Sequence, residues 1–153
     1  MSETPDHTVA EQPLTPRKTP CASCPYRKNV PSGIWAPEEY DKLPRYDEPT
    51  YAQPTAVFQC HQGDREVCSG WLGHGDPTQL LAVRIGVSAG EVDPSCFDYQ
   101  TDVELFSSGQ EAAQHGVREL YAPSAEASAA ITKIVRVREH SALGPVETRP
   151  RPE

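Results

Sequence analysis

The sequence predicts a mainly α-helical domain, with a small α+β domain as the alternative, in which three to four helices support an irregular N-terminal half centred on a metal. Four of the five cysteines lie between Cys21 and Cys68, helix-start signals recur in the second half, and large apolar side chains are scarce. With 16 prolines but only three Phe, two Trp and one Met, the hydrophobic core is expected to be small. A structural metal supplies folding free energy that a small core lacks.

The two ends of the chain differ in composition from the middle. Residues 1–19 and 141–153 are polar, contain prolines and show no apolar periodicity, which predicts disordered tails. One metal-binding domain is therefore expected over residues 20–140.

The start of the chain has no basic region followed by an apolar run, and no segment is apolar over the length of a membrane span. We therefore expect a cytoplasmic protein that does not bind membranes. Thiols stay reduced in the cytoplasm, and five is an odd number of cysteines, so metal ligation is favoured over disulfides.

The formal net charge of −8 disfavours binding to a nucleic-acid backbone, so we expect a protein partner instead, which the sequence does not identify. Positive charge is concentrated near the first cysteine pair, at Arg17, Lys18, Arg27 and Lys28. There it would offset the net charge of about −2 on a divalent metal with four thiolates. The alternative is that these are ordinary solvated charges.

The first half of the chain is predicted to be irregular apart from one short helix and one extended segment. Pro37, followed by two glutamates, is typical of a helix start, and Pro44 should end this helix near Leu43. Residues 55–59 are expected to be extended and to lead into Cys60.

Three helices are predicted in the second half. The first follows Asp76 and Pro77, a cap and a first-position proline. The second begins at a capping box formed by Ser108 and Glu111, and the third begins at Ser124. In all three segments apolar residues recur three or four positions apart, as expected for helices that pack against a core.

Cys21, Cys24, Cys60 and Cys68 have the pattern of a four-cysteine metal site. A Cys-x-x-Cys pair and a second close pair, brought together across a loop, suit one tetrahedral ion or one cluster. The alternative is that they are small buried residues without a ligand. His61 cannot easily share an ion with the adjacent Cys60, so we expect it behind the ligands or as a substitute for one thiolate.

Three further residues are assigned around this site. Cys96 could replace Cys68 as a ligand, although burial beside Phe97 is the expected role. Trp35 and Trp71 are expected to shield the metal from water. Together with three other aromatic residues they would form the core around the metal or line a ligand pocket; these are Tyr40, Tyr46 and Phe58.

The metal expected from the base rate of such sites is Zn²⁺. A [4Fe-4S] cluster used in redox sensing or electron transfer is the alternative, because Cys-Pro also occurs in iron–sulfur ligand runs and Pro25 lacks an N–H for the sulfurs. A thiol oxidoreductase that uses Cys21 and Cys24 is a second alternative, although the sequence predicts no βαβ unit around this pair.

A catalytic zinc site would need a base nearby, for which His61, Asp64, Glu66 and His74 are the candidates. No His-Glu-x-x-His or His-x-Glu spacing is present, so we assign no catalytic residue. The sequence therefore favours a binding or regulatory module over an enzyme. We expect it to act through the surface around the two tryptophans.

Four short segments carry a wider pattern: Pro-Cys-x-x-Cys-Pro-Tyr-Arg, Pro-Ser-Gly-x-Trp-x-x-x-Glu-Tyr, Phe-x-Cys-His and Cys-x-Gly-Trp. They occupy residues 20–27, 31–40, 58–61 and 68–71. With this pattern the chain resembles an uncharacterised family of small bacterial and bacteriophage proteins, a domain of unknown function. The resemblance implies no particular activity. It implies that one site includes Cys21, Cys24, Cys60, His61 and Cys68.

Overall fold

The computed structural model describes residues 12–60, 62 and 65–138 of the chain. This part is mainly α-helical, as predicted, with one small parallel sheet. The α-helices are α1 Pro37–Asp41, α2 Ser69–Gly73, α3 Leu81–Ser88, α4 Gly109–Val117 and α5 Ala125–Arg138. The strands are β1 Thr15–Pro16 and β2 Glu66–Val67, and short 3-10 helices span Leu43–Asp47, Thr50–Ala52, Pro77–Gln79 and Pro94–Asp98.

The small sheet corrects the predicted N-terminal tail. Strand β1 pairs in parallel with β2, and the backbone of Leu14 exchanges hydrogen bonds of 2.9 and 2.8 Å with Glu91 and Asp93. The tail predicted over residues 1–19 is therefore too long at its C-terminal end. Backbone pairing with distant segments holds this stretch in the fold, although its own sequence has no strand pattern.

Some predictions fall outside the described residues. They concern the tail at residues 141–153, the first 11 residues of the tail predicted over 1–19, the last two residues of the domain predicted over 20–140, and residues His61 and Asp64. Within the described ranges, none of the helices combines the length and the hydropathy that crossing a membrane requires.

The first predicted helix begins at Pro37, as expected, but Pro44 does not end the helical path. The chain continues after α1 as the 3-10 helix Leu43–Asp47, because proline is tolerated in the first turn of a helix, where its missing N–H has no partner to lose. We predicted an extended segment over residues 55–59. In the structure, a single β-bridge at Gln59 represents it.

The helix-start signals of the second half are used, with small shifts. Asp76 caps the 3-10 turn Pro77–Gln79, and α3 begins only after it. The hydroxyl of Ser108 accepts a hydrogen bond from the N–H of Glu111 at 3.1 Å, and Ser124 caps α5 in the same way. Because a cap bonds to residues two or three positions away, these starts are readable from local sequence.

Helices α1 and α4 pack against each other and support the segment that precedes α1. The Tyr40 hydroxyl accepts hydrogen bonds from the N–H groups of Ile34 and Trp35, both at 3.1 Å. A Cβ at Gly116 of α4 would overlap with the Tyr40 ring, so the two helices approach as closely as glycine permits. This contact fixes the position of Trp35 beside the cysteines.

Candidate metal centre

A short ladder between two segments brings the second pair of cysteines together. The N–H of Cys60 donates to the carbonyl of Glu66, and the N–H of Cys68 donates to the carbonyl of Phe58, both at 2.8 Å. Gln59 lies between them in an antiparallel bridge. The two cysteines, with seven residues between them in sequence, thereby begin and end one tight loop.

The first pair of cysteines lies in a turn that is held from both sides. The N–H of Cys24 donates to the carbonyl of Cys21 at 3.0 Å, which closes the turn. The guanidinium of Arg27 donates to the same carbonyl at 3.0 Å, and Trp35 Nε1 donates to the carbonyl of Ser23 at 2.9 Å. The Cys-x-x-Cys loop is thus positioned by side chains that follow it in sequence.

The four cysteines predicted as ligands form one buried cluster. Their exposed fractions are 6% for Cys21, 1% for Cys24, 3% for Cys60 and 4% for Cys68, and all four are free thiols. The Sγ atoms of Cys24 and Cys68 are 3.8 Å apart, and the thiols of Cys21 and Cys60 are hydrogen-bonded to each other. Each close contact therefore joins a cysteine of the first pair in sequence to a cysteine of the second.

The separation of one pair of sulfurs is that of two ligands on a single tetrahedral ion. Two sulfurs bound to one zinc at about 2.3 Å lie about 3.8 Å apart at the corners of a tetrahedron, which is the Cys24–Cys68 separation. As placed, no group of three or more His, Cys, Asp or Glu side chains in the described ranges has the geometry of a finished metal site. The arrangement is two close thiol pairs, Cys24 with Cys68 and Cys21 with Cys60.

Each sulfur of the cluster receives a hydrogen-bond donor from its surroundings. Cys60 accepts from the N–H of Gln62 and Cys68 from that of Trp71, both at 3.4 Å. The hydroxyl of Ser23 lies 3.6 Å from the Cys21 sulfur. The backbone N–H of Tyr26 bonds to Cys24 and so supplies, one residue later, the donor that Pro25 lacks. These donors favour the thiolate form that a metal requires.

Among themselves, the thiols resist full ionisation. The hydrogen bond to Cys24, together with burial, raises the pKa of Cys68 well above its usual range, and the same hydrogen bond lowers the pKa of Cys24. A hydrogen bond to Cys60 and burial raise the pKa of Cys21. Because buried like charges repel, four thiolates need a cation among them, which a soft divalent metal supplies.

Two of the four basic residues noted in the sequence face this cluster. Nη1 of Arg17 lies 3.8 Å from the Cys60 sulfur and 3.4 Å from a carboxylate oxygen of Glu66. Partial burial alone would lower the pKa of the Arg17 guanidinium. The negative charges of the neighbouring Cys60, Cys21 and Glu66 outweigh burial, so the pKa is raised. The charge of Arg27 helps to lower the pKa of the Cys24 thiol, whereas Lys18 and Lys28 are exposed.

We expect Arg17→Gln to weaken zinc binding by about tenfold, because residues that support ligands from behind typically contribute one to two orders of magnitude in affinity. Competition against a coloured zinc chelator measures the change. The matched control is Lys18→Gln, which removes the same charge from an exposed neighbour. Equal losses in the two variants would show that Arg17 acts only through net charge.

Both tryptophans lie beside the cluster and are fully buried. Trp35 bonds to the loop of the first pair through its indole, and Trp71 bonds to Cys68 through its backbone. Buried rings at this place keep water from the thiols. That the surface around them binds a partner stays a prediction.

Gly70 is a site residue that our sequence reasoning missed. It lies in α2, where an added Cβ would overlap with the Cys24 sulfur and would come within 3.1 Å of Tyr26 Cβ. The sequence feature that could have identified it is its position in the Cys-x-Gly-Trp segment, between the predicted ligand Cys68 and the buried Trp71. A glycine there lets the backbone of α2 approach the thiol directly.

The fifth cysteine, Cys96, is fully buried in the 3-10 helix Pro94–Asp98. Burial, with a smaller effect of the Asp93 charge, raises its pKa to about 12. The charged group that acts on it is thus a carboxylate and not another cysteine. This placement favours the buried role over that of a substitute ligand.

The residues considered as partners of a catalytic zinc are occupied elsewhere or not described. Glu66 binds Arg17 at 3.4 Å, and the ring of His74 stacks on Tyr26 with centroids 4.4 Å apart. His61 lies outside the described residues, and its role stays a prediction.

Comparisons with other proteins place the chain in a family without assigning an activity. Neither a curated protein nor a solved structure is detectably similar to it. A family profile matches residues 16–138, which include the four clustered cysteines and every helix described above. The chain belongs to the family of unknown function DUF6283.

Proposed function

We propose that this protein binds one Zn²⁺ through Cys21, Cys24, Cys60 and Cys68, and that the metal is structural in a small binding or regulatory module. The observation that carries the proposal is the 3.8 Å separation of two sulfurs within a buried cluster of four free thiols. Four thiolates complete the coordination of zinc. No position is left for a substrate or a reactive water, which is the arrangement of structural sites.

The same separation supports zinc over an iron–sulfur cluster. Each cysteine of a four-iron cluster binds a different iron, so its sulfurs are held farther apart than those around one ion. The N–H donor from Tyr26 removes the objection to zinc that Pro25 raised. The cluster stays the alternative that the metal analysis below decides.

A thiol oxidoreductase is supported less well. Its attacking cysteine has to be exposed to its substrate and is usually activated at a helix N-terminus. Cys24 is 1% exposed, and it lies in a turn that continues to the β-bridge at Arg27. Both thiols of the pair also contact the other two cysteines, which suits ligation.

The structural role follows from how little regular structure surrounds the site. Between β1 and α2 the longest helices have five residues, and isolated helices of that length are unstable in water. A metal that joins the turn at the first pair to the loop at the second would hold these segments together.

The finer parts of the assignment are also proposals. The motif segments at residues 20–71 fall within the range matched by the family. That its relatives are small bacterial and bacteriophage proteins rests on the resemblance of these motifs alone. Four free buried thiols suit a reducing compartment, which supports a cytoplasmic protein. The net charge of −8 supports a protein partner over nucleic acid.

The test is elemental analysis and a visible absorption spectrum of protein purified without oxygen and without added metal. We expect about one zinc per chain and no visible band. Iron with acid-labile sulfide would replace zinc by a cluster. Protein that contains neither metal, with one rapidly alkylated thiol in the first pair, would favour the oxidoreductase instead.

A further inference from the structure

The four clustered thiols contact each other between the two sequence pairs and not within them. The Sγ atoms of Cys24 and Cys68 are 3.8 Å apart, and the thiols of Cys21 and Cys60 share a hydrogen bond. Among the described residues, no hydrogen bond joins Cys21 to Cys24 or Cys60 to Cys68. We call Cys21 and Cys60 the outer pair, and Cys24 and Cys68 the inner pair. A disulfide requires two sulfurs at about 2.05 Å, so thiols already in contact are the first candidates to form one.

The outer pair lies nearer to solvent than the inner pair. Cys21 is the most exposed of the four cysteines, at 6%. The Cys60 sulfur lies 3.8 Å from Nη1 of Arg17, whose side chain is 31% exposed. The Cys68 sulfur instead accepts from the N–H of Trp71, a fully buried residue. Hydrogen peroxide is nearly as small as water, so the edge beside Arg17 is its shortest route to a sulfur.

Oxidation of the outer and inner pairs would connect the same segments that the metal connects. Each disulfide would join the turn of the first two cysteines to the loop of the second two. Disulfides within the sequence pairs would instead close rings inside the turn and inside the loop, and would leave the two segments unconnected. A disulfide stabilises a fold mainly by constraining the unfolded chain, and more so when it closes a longer loop. The inner pair spans 44 positions, so its disulfide would constrain much of the N-terminal half.

We propose that the zinc site is a redox switch, in which hydrogen peroxide converts the four ligands into an outer and an inner disulfide and releases the metal while the fold is kept. This inference rests on the proposed function, because it states how the zinc of that site is lost. Zinc binds thiolates, and the sulfurs of a disulfide carry no negative charge with which to hold it.

The oxidation proceeds in two equivalent rounds. The Cys60 thiolate attacks one oxygen of hydrogen peroxide, so that an S–O bond forms, the O–O bond breaks, and the leaving hydroxide takes a proton from solvent. The Cys21 thiolate then attacks the sulfenic sulfur, the S–S bond forms, and the S–O bond breaks with loss of a second hydroxide, which also becomes water. The inner pair reacts in the same way. Four thiolates, two peroxides and four protons thus give two disulfides and four waters, and Zn²⁺ is released.

The experiment treats the zinc-loaded full chain with hydrogen peroxide and follows the released zinc with a coloured chelator. We expect about two peroxides to be consumed for each zinc released. The far-UV circular dichroism should keep its helical signal, because the disulfides replace the metal. Reduced protein from which a chelator has removed the zinc is the comparison, and it should lose much of that signal. Dithiothreitol with added zinc should restore the original form.

Trypsin cleavage distinguishes the possible pairings by mass. Cleavage after Arg65 places Cys60 and Cys68 in different peptides, whereas the first two cysteines stay in one peptide that ends at Arg27. The proposed disulfides join all three peptides into one species. Disulfides within the sequence pairs give one looped peptide and one linked pair of peptides instead. Fragmentation between the first two cysteines then assigns each partner.

A limiting amount of peroxide tests the order of the two steps. We expect the outer disulfide to form first, and formation of the inner disulfide first would contradict an approach beside Arg17. Cys96→Ser is the control, because this cysteine is fully buried outside the cluster. The variant should release zinc at the wild-type rate and should form the same two disulfides.

Elemental analysis before the treatment separates failure of the switch from failure of the zinc site. Protein without zinc would overturn both proposals. Three results with zinc-loaded protein would overturn the switch alone. They are retention of the metal in excess peroxide, disulfides within the sequence pairs, and a loss of helical signal as large as that of the chelator-treated protein.

Discussion

Cys24→Ser is expected to abolish stoichiometric zinc binding and to unfold the segments around the site. Structural zinc bound to small peptides contributes about 10–16 kcal/mol of apparent binding free energy. A whole domain is stable by only about 5–15 kcal/mol. The energy of the metal is thus comparable with the total stability, and a serine hydroxyl does not replace a thiolate in a site of four soft ligands.

The matched control is Cys96→Ser, the same change at a fully buried cysteine outside the cluster. It should cost about 1–3 kcal/mol, the penalty of a buried hydroxyl, and should leave the zinc content unchanged. Circular dichroism, melting temperature and elemental analysis compare the two variants. Removal of zinc from the wild-type protein by a chelator should reproduce the effect of Cys24→Ser. Full folding of Cys21→Ser and Cys60→Ser variants would contradict a structural metal.

The helices could be predicted because their signals are local. Pro37 begins α1, and the hydroxyls of Ser108 and Ser124 cap α4 and α5 through residues three positions away. A cap and the helix it starts are encoded in the same few residues, so one sequence suffices to read them. The mainly helical class follows from these positions.

Contacts between distant segments were not predictable in the same way. The two-residue strand β1 pairs with β2 across 51 positions, and neither segment has the alternation that marks a strand. The contact of Arg17 with Cys60 depends on that pairing, because Arg17 directly follows β1 and the pairing places it beside the loop of the second cysteine pair. From its position in the sequence, Arg17 was expected to lie near the first cysteine pair only.

The candidate site shows the same division. Spacing grouped Cys21, Cys24, Cys60 and Cys68, but it could not separate them from Cys96, which differs only in what the fold places around it. Nor does spacing reveal which thiols meet across the cluster, because that depends on how the turn of the first pair docks against the loop of the second.

Gly70→Ala is expected to weaken zinc binding and to destabilise the protein, against the usual sign of this substitution. Within a helix, alanine is favoured over glycine by about 1 kcal/mol, and Gly70 is in α2. Here, however, the added methyl group would overlap with the Cys24 sulfur, and both Cys24 and Gly70 are buried, so the overlap is not relieved by a shift into solvent. Overpacking costs about 1–3 kcal/mol, which exceeds the gain in propensity.

The effect on the metal should be larger than the effect on stability alone suggests. Zinc tolerates deviations of only about 0.2 Å in ligand distance, so a displaced Cys24 sulfur should lower zinc affinity by about 10- to 100-fold. Gly75→Ala is the control, since a methyl group there meets no atom within 4 Å. Chelator competition and thermal melting of both variants measure the two effects separately. Unchanged affinity and an unchanged or higher melting temperature for Gly70→Ala would mean that α2 does not press on the thiol, and the docking of the two cysteine pairs would have to be redrawn.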